Sequence, residues 1–151
     1  MKLSTRIISL ALAVFIVVAC AAPASSDGAV SSDPPTMFFN ITSGPDNPHP
    51  VTMALQLAGH SLDDGREVVL FFNVQGVHVP TNELSETLAF GDEPIKMMLA
   101  GLIERGAHVH VCPHCMAALE VEEADLVEGA QVTTRESLFA HVHSNTTVFT
   151  Y

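Results

Sequence analysis

The run Val68-Val69-Leu70-Phe71-Phe72 constrains this chain more than any other feature. It is apolar throughout and mostly β-branched or aromatic, so as a strand it has no face to give to water. Such a strand belongs in the middle of a sheet that is covered on both sides. The segments around it alternate between strand and helix patterns. Residues 37–41 read as a first strand. Residues 51–60 carry apolar side chains at Val51, Leu55 and Ala58, with Met53 and Ala54 beside them, at helical spacing. Asp63-Asp64-Gly65 ends that helix. Residues 76–92 read as a long loop or lid, and residues 94–105 as a second helix with Pro94 in its first turn and Gly106 at its end. A strand at 108–111, a short helix through Leu119, an acidic turn at 122–126, a strand at 130–133, a helix at 135–140 and a closing strand at 146–151 complete the order. Strands alternating with helices predict an α/β fold: a doubly wound, mostly parallel sheet with helices on both faces. In such sheets the loops beyond the carboxyl ends of the strands carry function. The loop at 42–48 and the segment 112–115 are both of this kind and are expected to open on one edge.

The alternating pattern starts only at residue 37. Ahead of it, Lys2 and Arg6 precede an apolar run over residues 7–19, interrupted by Ser9. A membrane-spanning helix takes roughly 20 apolar residues, so this run is too short and matches the central region of a secretory signal peptide. Its end, Val17-Val18-Ala19-Cys20, resembles a bacterial lipobox, which implies cleavage before Cys20 and a lipid on that thiol. Cleavage slightly later, with Cys20 an ordinary apolar residue, is the alternative. Residues 20–36 are dominated by Ala, Ser, Asp and Pro and read as a flexible tether. The expected organisation is a signal peptide at 1–19, a lipid-anchored linker at 20–36 and one domain at 37–151. The protein is then exported and held at the cell envelope by its lipid alone.

Without Lys2 and Arg6, four basic side chains stand against seventeen acidic ones, a net charge near −13 with neutral histidines. Neutralising phosphates needs the opposite sign, which excludes nucleic acid as a partner. A basic protein, a cation or a small thiol compound suits this field.

Cys112-Pro113-His114-Cys115 is the stretch richest in chemistry. Cys112 ends a predicted strand, Pro113 suits a first helical position, and Cys115 falls in the first helical turn. Helix-start N–H groups are expected to lower the thiol pKa there, and a protonated His114 would add to this. The spacing permits a structural disulfide, half of a zinc site or a reactive dithiol. A disulfide across two residues closes a very small loop, and the second cysteine pair of a four-thiolate zinc site is missing. The junction of strand and helix favours the reactive reading. Thioredoxin-like proteins share the spacing, but they place the pair after an early strand, before a long helix and a later proline. Here the pair comes late, and no proline occurs after Pro113.

Several segments resemble the DsrE/DsrF-like family. Phe38-Phe39-Asn40-Ile41-Thr42-Ser43-Gly44-Pro45 and Thr52-Met53-Ala54-Leu55 resemble its opening strand and helix. The stretch from Val69 to Val77 resembles its second strand and glycine-bearing loop. Leu102-Ile103-Glu104-Arg105-Gly106-Ala107 and the strand up to Cys112 resemble the approach to its sulfur-carrying cysteine. Glu123-Ala124-Asp125-Leu126 and Gly129-Ala130 resemble the family's segment beyond that cysteine. The resemblance spans residues 37–151 and implies a flavodoxin-like sheet, a persulfide on Cys112, and assembly as a homotrimer or hexamer. It implies sulfur relay without a cofactor, from a small sulfur or thiol donor or a partner thiol protein. Cys115 is the candidate partner thiol and His114 the group that tunes the pair. The chemistry is then either that of a sulfurtransferase-type carrier or that of a thiol–disulfide oxidoreductase.

The histidines offer a second reading. His108 and His110 share strand parity with Cys112. With His114, Cys115, Met116, His141 and His143 they are the candidate ligands of a copper or zinc site. The alternative places His108 and His110 in a hydrogen-bonded interior and His141 and His143 on the surface. A non-catalytic oligomeric module with bridged cysteines is a third possibility. Asn40 and Ser43 fit a helix cap or an anion contact. Glu122, Glu123 and Asp125 fit a solvated turn, and Met97 and Met98 fit core or subunit contacts.

Overall fold

The computed structural model describes residues 35–151. The expected signal peptide, Cys20 as the expected lipidation site and the expected tether up to residue 34 lie outside the described residues. The elements are β1 (Thr36–Ile41), α1 (Pro48–Asp63), β2 (Glu67–Phe72), a 3-10 turn (Val74–His78), α2 (Ile95–Glu104), β3 (His108–Val111) and α3 (Pro113–Ala118). A second 3-10 turn (Glu123–Asp125), β4 (Ala130–Val132), α4 (Arg135–Phe139) and β5 (Thr147–Thr150) complete the chain. Among the described residues no helix is long and apolar enough to cross a membrane.

All neighbouring strands are parallel, in the order β4-β3-β2-β1-β5. The apolar run therefore occupies the middle strand, as its two-sided character requires. From β1 to β4 the chain steps steadily toward one edge, and right-handed crossovers put α1, α2 and α3 on one face. The step from β4 to β5 reverses direction and carries α4 over the other face. The elements in the sequence leave this strand order open, and the fold class is the α/β one expected.

Period-two alternation divides the strands between the faces. Phe39, Ile41, Leu70, Phe72, Val109 and Val111 are buried on the first, in one core with Val51, Leu55 and Ala58 of α1 and Ile95, Leu99 and Leu102 of α2. Each large side chain buried here stabilises the fold by roughly 1.5–3 kcal/mol. The second face carries Phe38 and Phe71, whose rings lie 6.2 Å apart, together with Val69 and the fully buried His110.

Three boundaries depart from the sequence reading. Helix α1 starts at Pro48 instead of residue 51, because the first N–H groups of a helix have no intrahelical partner and prolines there forfeit nothing. Thr36, assigned to the tether, is buried in β1 and donates its hydroxyl to Glu67 at 2.7 Å. The segment at 76–92 is no lid. It buries Val77, Val79 and Leu84 in the core and is tied down by Val127 N–H to Pro80 O at 3.0 Å and Asn82 N–H to Asp125 O at 2.8 Å.

Candidate functional site

The carboxyl ends of β1, β2 and β3 meet at one edge, where two glycines let the loops touch. The backbone oxygen of Ile41 lies so close to Gly76 that a Cβ there would overlap it, and a Cβ on Gly44 would stand 2.6 Å from Gln75 O. Gly76 N–H bonds to Thr42 O at 3.2 Å, and Asn73 N–H to Ile41 O at 3.0 Å. Asn40 neither caps α1 nor stands free for an anion. Its side-chain oxygen accepts from Asn73 Nδ2 at 2.5 Å, locking β1 to the loop after β2. Helix α1 starts from Asn47 without a side-chain cap, so Ser43 does not cap it either.

This clamped loop presents the thiols with a partner. Cys112 N–H bonds to Phe72 O at 2.9 Å, extending the β2–β3 ladder by one residue, and Cys112 O accepts from Met116 N–H at 2.9 Å to open α3. Cys115 lies in the first turn of that helix. Its Sγ accepts a hydrogen bond from Val74 N–H at 3.2 Å. Val74 is a half-exposed β-branched residue with φ of 51°, a left-handed conformation that costs such a residue roughly 1–2 kcal/mol. The surrounding contacts hold this strained residue so that its N–H faces the sulfur.

Both thiols are free and half-buried. Burial pushes the Cys115 thiol above its ordinary range, and the adjacent Cys112 thiol adds to this, while the Val74 N–H pulls it down. The net direction is upward, against the expectation drawn from the helix start. Helix α3 has six residues, and the donor that reaches the sulfur comes from the neighbouring loop. Cys115 thus keeps its proton at neutral pH, with a donor already in place for the thiolate when it forms. His114 is exposed and, among the described residues, makes no hydrogen bond or ion pair with either thiol.

The structure divides the other candidate ligands. Met116 is buried in the core, and His143 is exposed. His108, His110 and His141 gather on the second face, His108 and His141 with rings stacked at 4.0 Å, His110 edge-on to His141 at 5.6 Å. Shared parity does not bring the thiols to them. His108 lies four residues from Cys112, about 13 Å along a strand, and Cys112 packs against the first-face core. Two residues escaped the sequence reading. Val74 carries no signal, since valine disfavours the conformation it adopts. Glu67, which meets His141 and His108, becomes a neighbour only through the β2–β3 register.

The profile of the DsrE/DsrF-like family matches residues 36–151. The chain belongs to the DsrE/DsrF-like family. An uncharacterized protein of Methanocaldococcus jannaschii is 34% identical over 112 residues, covering 74% of this chain and 95% of the relative. Two solved structures share the DsrE-like fold at low identity. The YchN protein of E. coli matches with a TM-score of 0.63 at 16% identity, over 78% of this chain and 99% of that one. A protein of unknown function from Methanobacterium thermoautotrophicum matches with a TM-score of 0.61 at 14% identity, over 77% and 98%. In this DsrE-like chain the family match begins at Thr36, the buried first residue of β1.

Proposed function

We propose that this DsrE-like protein carries sulfur as a persulfide on Cys112, with Cys115 as the thiol that resolves it. The observation that supports this most is the Val74 N–H held 3.2 Å from Cys115 Sγ by a strained backbone. A structural dithiol has no use for a donor aimed at one sulfur. In the loading step the Cys112 thiolate attacks the outer sulfur of a small persulfide R–S–SH. The S–S bond breaks, Cys112–S–SH forms, and the R–S⁻ thiolate leaves with the electron pair. A thiol acceptor takes the outer sulfur by the same exchange and regenerates the Cys112 thiolate. Without an acceptor, Cys115 loses its proton to solvent and attacks the inner sulfur. This releases HS⁻ and leaves the Cys112–Cys115 disulfide. The raised Cys115 thiol makes this second step slow at neutral pH, so the persulfide persists long enough to be passed on. His114, exposed beside the pair, tunes it from the solvent side.

The donor is a small sulfur compound or a partner thiol protein, which the acidic surface of the chain admits. Residues 1–19 act as the export signal, Cys20 takes the lipid, and the domain works at the cell envelope as a homotrimer or hexamer. Intact mass of the reduced chain after exposure to a persulfide donor tests the chemistry. A gain of one sulfur, removed by cyanide and lost in Cys112→Ser, is the expected result. Loss of two hydrogens by the unaltered chain, with no sulfur gained by Cys115→Ser, which lacks the resolving thiol, would show a dithiol–disulfide couple and refute the carrier.

A further inference from the structure

At the other end of the sheet from the thiols, the second face carries a cluster that the sulfur chemistry does not use. Glu67 begins β2, His108 begins β3, and His141 follows α4. Glu67 Oε1 lies 2.6 Å from His141 Nδ1 and 3.5 Å from His108 Nε2. One ligand atom from each residue falls within 4.8 Å of the other two. We propose that Glu67, His108 and His141 form a binding site for a divalent transition-metal ion of the zinc class.

The donor chemistry is the first argument. Two imidazole nitrogens and one carboxylate oxygen are a set that binds zinc with a coordination position left open. Geometry is the second. Metal–ligand bonds of about 2.0–2.1 Å in a tetrahedral site put ligand atoms about 3.3 Å apart. The His108–Glu67 distance already fits, and the His141–Glu67 pair must open by about 0.7 Å when the ion replaces the proton between them. That proton moves to the other ring nitrogen of His141 or to solvent, as metal binding to protonated ligands requires.

The surroundings supply the third argument. Thr36 Oγ1 donates to Glu67 Oε2 at 2.7 Å, which fixes the carboxylate and leaves Oε1 for the ion, as supporting hydrogen bonds do in metal sites. The stacked rings of His108 and His141 both turn a nitrogen to this one oxygen. A salt bridge needs one such ring. Next to them His110 is fully buried, with an Nδ1 that has no hydrogen-bond partner among the described residues. An unpartnered buried nitrogen costs roughly 1–3 kcal/mol. A water on the ion's open position offers that nitrogen a donor, or the ring turns and becomes a fourth ligand. The ligands are 19–40% exposed, so an ion reaches them from solvent.

The test uses the full chain with Cys112→Ser and Cys115→Ser, so that no thiol of the pair takes up metal and the outcome is independent of the sulfur reading. Calorimetric titration of the chelator-treated protein with Zn²⁺ is expected to give one ion per chain and a raised melting temperature. Co²⁺ in its place is expected to give visible d–d bands without a thiolate charge-transfer band. His108→Ala, the most exposed ligand and the least disturbing change, is expected to weaken Zn²⁺ at least about tenfold, and Glu67→Gln to do the same. Circular dichroism confirms that each variant is folded, and His108→Ala decides if another is not. Failure of the Cys112→Ser/Cys115→Ser chain to bind Zn²⁺, or equal affinity in His108→Ala, would overturn the site.

Discussion

At the residue scale the two cysteines differ by what surrounds each sulfur. Cys115 is the more constrained, since burial and the neighbouring thiol raise it while Val74 N–H partly compensates. A thiol reacts as its thiolate, so a raised pKa moves its reaction to higher pH. With limiting iodoacetamide at neutral pH, peptide mapping is expected to find Cys112 modified first. Modification of Cys115 should rise only as the pH climbs past 9, the ordinary thiol value from which its own is raised. Equal labelling of both at neutral pH would remove the assigned division of labour. The cysteine motif, its strand-to-helix junction and the start of α3 at Pro113 were all legible in the sequence. The sign of the Cys115 shift was not, because it depends on burial under a loop some forty residues earlier in the chain.

At the scale of elements, the site depends on how tightly the loop after β2 sits against the end of β1. Gly76 makes this possible, since any side chain there meets the Ile41 carbonyl. Backbone cannot yield as a side chain does, so Gly76→Ala is expected to destabilise the fold by about 1–3 kcal/mol. The same change should slow alkylation of Cys115 by shifting the Val74 N–H, which favours the thiolate, away from the sulfur. Urea unfolding and the alkylation rate check the two effects, and unchanged stability in the Gly76→Ala variant would mean that the loops are not clamped. The strands were legible to within a residue or so because their period-two pattern and β-branched content are local signals. The start of α1 was obscured by Pro48 and Pro50, and the packed segment after β2 by its polar composition. Neither the strand order nor the meeting of Glu67 with His108 and His141 is written in any local pattern, since both arise only when β2, β3 and the chain after α4 come together.

At the scale of the whole molecule, the family membership fixes the fold and leaves the setting to the proposal. The lipidation reading predicts that cells expressing the full chain incorporate a labelled fatty acid into it. Cys20→Ser should abolish the label and release the protein from the membrane fraction. A label that survives Cys20→Ser would place the lipid elsewhere or dismiss the anchor. The thiol edge and the Glu67–His108–His141 cluster occupy opposite ends of one sheet, so one chain has room for both chemistries without shared residues.

The central claim is that Cys112 holds the transferable sulfur and Cys115 discharges it. Its most direct measurement is the site of the added sulfur, read by trapping the loaded chain with an alkylating agent and mapping its peptides. The trapped persulfide is expected on Cys112, with a longer lifetime in Cys115→Ser than in the unaltered chain. A persulfide found on Cys115, or one that decays at the same rate without Cys115, would contradict it.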